Sequence, residues 1–411
     1  MLNKSIPYPR KIELNDFEAK RYFRRLEEFL GSNEIDKRLK NIEREIQIER
    51  GVYRENWVYP NNVWWLGLQR ARELCRYQSA KIFKLDSQMV KPLETAVKLS
   101  RLYGSMPQSK RKEFCTRILT SNNLTPIFFE IDIAAIFWQY GYTIEWANSV
   151  LRQRICEFTA TSREHKIEVE CKTKTIDAGR MISRPNFYRL VDKVAKVLIS
   201  RSLFGTINIK VPQRMPPDLQ WQEQIEKLLI NISSEGQSLT NLSDGTEITI
   251  NLQKQNDIAL LEKDIASQEK VLRNNRPFVH IACHTSKRDQ GLFNPIIVSV
   301  ESKNSNRVLD DVLEDLRDAN KQISGNCCAI ICCFIPEILP ESFDDLKSNS
   351  GIANMTKKFY ECHSKDCIYA VLYCSDTIQV STDNQILTGI PGLSFLNPNY
   401  NLTYKPYVPI T

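Results

Sequence analysis

This chain is poor in the residues on which several enzyme classes depend. With 14 glycines and four histidines in 411 residues, it offers no glycine-rich loop to cradle phosphates and no Ser-His-Asp order, so nucleotide hydrolysis and acyl transfer find no support. It has no run of eighteen apolar residues, no secretory n-region and no lipidation motif; the expectation is a cytoplasmic protein that does not engage a membrane. Twelve cysteines are present. Several sit in apolar runs such as Cys327-Cys328-Ala329-Ile330-Ile331-Cys332-Cys333, where cysteine acts as a small hydrophobe rather than half of a disulfide. The group Cys362, His363, Cys367 and Cys374 lacks the paired Cys-x-x-Cys spacing of a zinc site. A large charge imbalance is also missing: 56 basic against 49 acidic residues leave +7, too little to require a nucleic-acid partner by itself. Hydrophobic content of 42% and charged content of 26% are those of an ordinary globular protein, long enough for two or three domains.

What the chain does carry is an ordered set of charges between Glu130 and Lys172. Thr125-Pro126 reads as the N-cap and first position of a helix, apolar almost all round from Ile127 to Tyr140 and stopped by Gly141. Glu130 and Asp132 are anomalies on so apolar a helix. Tyr142 to Trp146 reads as a strand, Ile155 to Ala160 as a second that carries Glu157, and Ser162 to Lys166 as a hairpin turn. In the next strand Ile167 and Val169 alternate with Glu168 and Glu170, so the period of two places Glu168, Glu170 and Lys172 on one face. Carboxylates and a lysine in such a setting need partners or a metal. The simpler arrangement is the solvated side of a hairpin, with Glu130 in a structural ion pair.

This order resembles the PD-(D/E)xK, restriction-endonuclease-like, nuclease superfamily, in which a helix supplies a glutamate, one strand an acidic residue and the next Glu-x-Lys, followed by a helix and another strand. The resemblance covers about residues 120 to 212 and implies catalytic roles for Glu130, Glu157, Glu170 and Lys172. It implies Mg²⁺ (or Mn²⁺) held by Glu157, Glu170 and the Cys171 backbone carbonyl. Residues 186–201 would be the following helix and 205–211 the following strand. Glu157 stands where the superfamily usually has aspartate. The implied activity is a metal-dependent endonuclease acting on DNA, in restriction, phage defence or repair. The alternative is a catalytically silent member that binds nucleic acid or scaffolds a complex. Duplex-cutting relatives often dimerise, so a homodimer, or a protein partner on the N- or C-terminal regions, is a further expectation.

The basic residues Lys174, Arg180, Arg184, Arg189 and Lys193 follow the Glu-x-Lys strand closely and suit phosphate contacts beside a cleavage centre, or the solvated side of a helix. The fold class expected is α/β, with a restriction-endonuclease-like mixed sheet flanked by helices. Residues 1–104 form a helical N-terminal region whose Trp57, Tyr59, Trp64 and Trp65 belong to a core, and 105–212 the nuclease-like core. Residues 213–276 form a loop and helical arm, Ser/Asn/Gly-rich from Ile230 to Glu247 and helical from Asp257 to Leu272; 277–411 form a C-terminal α/β domain. A second Glu-x-Lys, Glu301-Ser302-Lys303, ends a later strand but has no acidic partner strand before it, and ranks below Glu170/Lys172.

Overall fold

A computed structural model describes residues 16–77, 87–147, 156–163, 165–175, 177–231, 236–254, 260–261, 279–285, 292–336, 351–375, 378–382, 385–389 and 392–401. Helices α1 (Asp16–Leu30), α2 (Ser32–Ile48), the single turn α3 (Gly51–Tyr53), α4 (Tyr59–Tyr77), α5 (Val90–Leu102), α6 (Gln108–Thr120) and α7 (Thr125–Gln139) come first. Strands β1 (Thr143–Trp146), β2 (Phe158–Thr161) and β3 (Lys166–Thr173) follow, then α8 (Arg184–Ser200), β4 (Leu203–Val211), α9 (Leu219–Asn231), β5 (Gly236–Asn241) and β6 (Glu247–Lys254). Beyond these come β7 (Leu260–Leu261), β8 (Val279–Thr285), β9 (Leu292–Ser302), α10 (Val308–Gln322), β10 (Cys328–Phe334), α11 (Gly351–Cys362), β11 (Ile368–Cys374), β12 (Ile378–Thr382), β13 (Gln385–Gly389) and β14 (Gly392–Leu396).

The chain divides into two compact units. The first comprises Met1–Glu43, Asn61–Ala178 and Val308–Thr411; the second, Arg44–Pro60 and Gly179–Arg307. The first is built on a six-stranded sheet of order β1-β2-β3-β10-β11-β14. Strands β1, β2 and β3 form an antiparallel meander, β3, β10 and β11 run parallel, and β14 returns antiparallel to β11. All seven residues of β10 are buried, as expected of a strand with parallel neighbours on both sides and helices on both faces. Register pairs Ile331 with Glu170, Cys332 with Cys171 and Cys333 with Lys172. Ile331 and Cys333 share a core with Leu316 of α10 and Phe359 of α11, whereas Phe334, next in the alternation, meets Phe129 of α7 at 5.4 Å. The period of two thus puts α7 and α10 on opposite faces of the sheet.

Helix α7 buries Ile127, Phe129, Ile131, Ile133, Ala134, Ala135 and Phe137, and Glu130 with them. The helix begins at Thr125, one position earlier than the sequence pattern suggests, and the Asn123 side chain accepts the Thr125 N–H at 3.1 Å. Gly141, at φ +86°, stops it in a conformation that costs other residues more. Trp64 and Trp65 are core residues of this unit, edge-on at 4.9 Å, with the Trp64 Nε1–H donating to Thr95.

In the second unit the sheet order is β5-β6-β4-β9-β7, with β8 also on β9. Here β4 and β9 are parallel. Phe187, Leu190, Val194 and Leu198 of α8 and Trp221, Ile225 and Leu229 of α9 pack with the buried residues of β4, β6 and β9. Its two ends lie side by side: the Arg307 N–H donates to the Gly179 carbonyl at 2.6 Å and the Met181 N–H to Asn306 at 2.9 Å. The segment Arg44–Pro60 joins it through Asp192, whose carboxylate accepts the N–H groups of Val52 at 2.6 Å and Tyr53 at 2.9 Å.

Several expected boundaries are corrected. Helix 186–201 and strand 205–211 do not continue the sheet beside the Glu-x-Lys strand; they belong to the second unit, and β3 pairs in parallel with β10 after helix α10. Both segments read as helix then strand, but β4 alternates buried with half-buried positions while β10 is an unbroken apolar run, the pattern of a central parallel strand. The expected domain 277–411 is cut at Arg307, with β8 and β9 in one sheet and β10 and β11 in the other. The Ser/Asn/Gly-rich stretch is not simply a loop: β5 pairs antiparallel with β6 as an exposed edge strand. The helix expected at 257–272 falls largely outside the described residues; Leu260 and Leu261 pair with β9.

Asp192 satisfies two orphan N–H groups at a helix start, so Asp192→Ala should destabilise the protein by about 1–2 kcal/mol in urea unfolding. A loss under about 0.3 kcal/mol would contradict this capping role.

Candidate functional site

Four sequence-predicted residues meet at one end of the β2–β3 ladder. The last register pair of that ladder is Phe158 with Val169, so Glu157 stands just before β2 rather than within it. Its carbonyl still accepts the Ala147 N–H at 3.1 Å. Its own N–H, past the ladder, donates to Glu170 Oε2 at 3.2 Å. Glu170 Oε1 is paired with the Lys172 ammonium at 2.7 Å, and Lys172 also donates to Gln322 Oε1 on α10 at 2.6 Å. Only 2% of the Glu170 side chain is exposed. Cys171 lies two residues past the last β2–β3 pair, its thiol buried.

Glu130 reaches the cluster from α7 but is engaged on both oxygens by Arg117, at 2.8 and 2.5 Å. Arg117 also donates to Glu113 at 3.1 Å, and Lys110 pairs with Glu113 at 3.0 Å. Lys110 also pairs with Glu157, at 3.9 Å, and its ammonium sits over the Phe114 ring at 4.7 Å. Sequence reading missed this contribution of α6, although Lys110, Glu113 and Arg117 share a helical face beside buried Phe114. No local signal marks Gln322, which arrives from 150 residues away.

The charges do not balance. Carboxylates of Glu113, Glu130, Glu157 and Glu170 face the cations Lys110, Arg117 and Lys172. Glu157 carries the surplus. Burial, then the negative charges of Glu130 and Glu170, push its carboxyl up to about 8, against the opposing pull of Lys110 and Arg117. Burial also raises Glu170, with Lys172 opposing. The neighbouring thiols are inert: burial lifts Cys156 to about 12 and Cys171 well above the usual thiol range.

Among the described residues no three or more His, Cys, Asp and Glu side chains are arranged as a metal site. The fit to a hard divalent cation rests on chemistry: Glu157 and Glu170 offer carboxylate oxygens, and ionising Glu157 sets four carboxylates against three cations, a surplus that a bound cation would offset. Glu130, clamped by Arg117, is taken up in the ion pair. Asp132 belongs to a separate half-buried group, paired with Lys98 at 2.8 Å, and Glu168 accepts the Ser324 N–H at 2.8 Å.

The five basic residues proposed for phosphate contact are divided. Lys174 lies in the first unit, paired with Asp315 at 2.9 Å. Arg180, Arg184, Arg189 and Lys193 lie in the second, where Arg189 stacks on Tyr53 at 4.2 Å and Lys193 faces Glu226 at 3.9 Å. Glu301 and Lys303 sit at that unit's surface, facing Lys210 at 3.7 Å and Glu247 at 2.7 Å. No protein-family model matches this chain, and no curated protein matches it. Among the described residues no helix is long and apolar enough to cross a membrane.

Between about pH 4.5 and 8 the folded chain holds a proton on Glu157 that the unfolded chain has released. Its contribution to stability is therefore complete at low pH and lost as pH rises through 8, by up to about 1.4 kcal/mol per pH unit. Glu157→Gln should flatten this fall and raise the Tm of the metal-free protein at pH 8 relative to wild type. Parallel Tm–pH curves for the two proteins would contradict the crowding of like-charged carboxylates at Glu157.

Proposed function

We propose that this chain is a metal-dependent nuclease of the PD-(D/E)xK type, acting on DNA, whose core is interrupted after the Glu-x-Lys strand by Gly179–Arg307. The observation that carries the reading is Glu157, half-buried with 28% of its side chain exposed and set against the negative charges of Glu130 and Glu170 without enough positive charge, beside Lys172 on the same cluster. The order of elements in the first unit also supports it: a helix with Glu130, an antiparallel meander with Glu157 and Glu170, then α10 and a strand parallel to β3. The interruption explains why the helix and strand nearest in sequence are not those that complete the sheet.

Glu157 and Glu170, with the Cys171 carbonyl, would hold Mg²⁺ or Mn²⁺, which supplies a nucleophilic water and charge for the phosphoryl oxygens. Lys172, fixed between Glu170 and Gln322, presents its ammonium to the scissile phosphate and neutralises developing charge. Arg117 holds Glu130 in place and, together with Lys110, opposes the negative charge around Glu157. Service in restriction, phage defence or repair follows as the biological expectation of such an activity.

A second reading, a silent nuclease-type protein that binds nucleic acid or scaffolds a complex, is favoured by one observation: both Glu130 oxygens are committed to Arg117. The two separate in a cleavage assay on plasmid, linear duplex and single-stranded DNA, and on RNA, with Mg²⁺ or Mn²⁺. The nuclease reading expects cleavage by wild type that falls roughly 100-fold or more in Lys172→Ala and Glu170→Gln. Equal activity in all three proteins removes this centre, and binding without cleavage selects the silent reading.

A further inference from the structure

Away from the carboxylate cluster, the first unit presents aromatic rings at its surface under guanidinium groups. Trp138, at the end of α7, keeps 39% of its surface exposed, and the Arg101 guanidinium stands over its ring at 5.9 Å. Tyr103, two residues after Arg101, is 47% exposed, with the Arg111 guanidinium over its ring at 3.8 Å. Arg111 is held there by a hydrogen bond to the Tyr103 carbonyl at 2.8 Å. Tyr140, past the end of α7, is 39% exposed as well. Tyr103 also rims a cavity of about 450 Å³ whose wall includes Arg25, Phe29 and Leu99.

Large aromatic rings in the open are costly to leave in water, and three are gathered where α5 and α7 both end. Each element has a clear chemical use. An exposed indole or phenol face accepts a flat unsaturated ring, and arginines beside it draw an anion while stacking on the same ring system. The combination suits a polyanion whose repeating unit carries a flat ring. Duplex DNA hides its base faces in the stack, whereas an unpaired strand offers them.

We propose that Trp138 and Tyr103, with Arg101 and Arg111, form a stacking platform for an unpaired strand of nucleic acid. The choice of a strand over other flat anions rests on the nuclease reading; the ring–guanidinium surface does not. This platform deepens that reading by naming the substrate: single-stranded or locally unpaired nucleic acid, with bases on the rings and phosphates on the arginines.

The test uses the full chain carrying Lys172→Ala, in EDTA, so that binding is measured without cleavage. Fluorescence anisotropy of a labelled twenty-nucleotide oligo-dT is compared with a labelled duplex hairpin. The platform expects tighter binding of the oligo-dT, weakened roughly tenfold by either Trp138→Ala or Tyr103→Ala and more by both. Trp138→Phe and Tyr103→Phe, which keep a ring, should restore affinity to within about threefold of the parent. Thermal unfolding of each variant checks that the fold is retained, as substitutions at such exposed positions should allow. Unchanged affinity in the double alanine variant, or no binding of oligo-dT by the parent, overturns the proposal and leaves the arginines as covers for surface rings. The two readings fail separately. If Lys172→Ala abolishes cleavage while the double variant binds normally, the platform falls and the nuclease stands. If the double variant loses binding while Lys172→Ala cleaves as wild type does, the platform stands and the proposed centre falls.

Discussion

Like-charged carboxylates crowded together in a half-buried cluster are what the candidate site depends on. Glu157 stands beside two other carboxylates, and the nearby cations are mostly committed: Arg117 to Glu130, and Lys172 to Glu170 and Gln322. A carboxylate in that position is unfavourable to the folded state, since burial and neighbouring negative charge both disfavour ionisation. Such a cost is common where a protein has arranged groups for a bound ion or a reaction rather than for stability. A purely structural ion-pair network would place a cation closely on Glu157, whereas Lys110 pairs more closely with Glu113, at 3.0 Å, than with Glu157, at 3.9 Å.

The backbone makes this crowding. Because the β2–β3 ladder ends at Phe158 and Val169, the Glu157 N–H is released from strand pairing and turns to the Glu170 carboxylate. The parallel strand β10 fixes the other edge of β3 and brings α10 down onto the face where Lys172 points, so Gln322 can hold its ammonium. Lys172 and its glutamine partner are separated in sequence by the whole of Gly179–Arg307, which folds on its own sheet and core. An insertion at that position leaves the sheet intact because its two ends are paired to each other, Gly179 with Arg307 and Met181 with Asn306.

Much of the local structure was legible in the sequence because it depends on short-range pattern. The apolar helix stopped by Gly141, the meander and the Glu-x-Lys alternation follow from periodicity and turn chemistry. Long-range pairing was not legible. Two helix–strand pairs follow Lys172, and nothing local to 186–211 reveals that its strand joins a different sheet; only the unbroken apolar run 328–334 marks the strand that sits beside β3. The carboxylates were found as anomalies on apolar elements, whereas their cations on α6 looked like an ordinary polar helix until Lys110 proved to be buried. The basic run 174–193 read as one feature because it is continuous in sequence, yet the chain passes from one unit to the other within it, and Lys174, Arg189 and Lys193 are engaged with acidic or aromatic partners.

The crowding of Glu157 is most directly examined by calorimetric titration of Mn²⁺ at pH 7 in buffers of different ionisation enthalpy, which counts protons released on binding. If the carboxyl waits protonated for a cation, binding should release close to one proton, and Glu157→Gln should lose both the release and most of the affinity. Binding with no proton release, or none that depends on Glu157, would contradict the account.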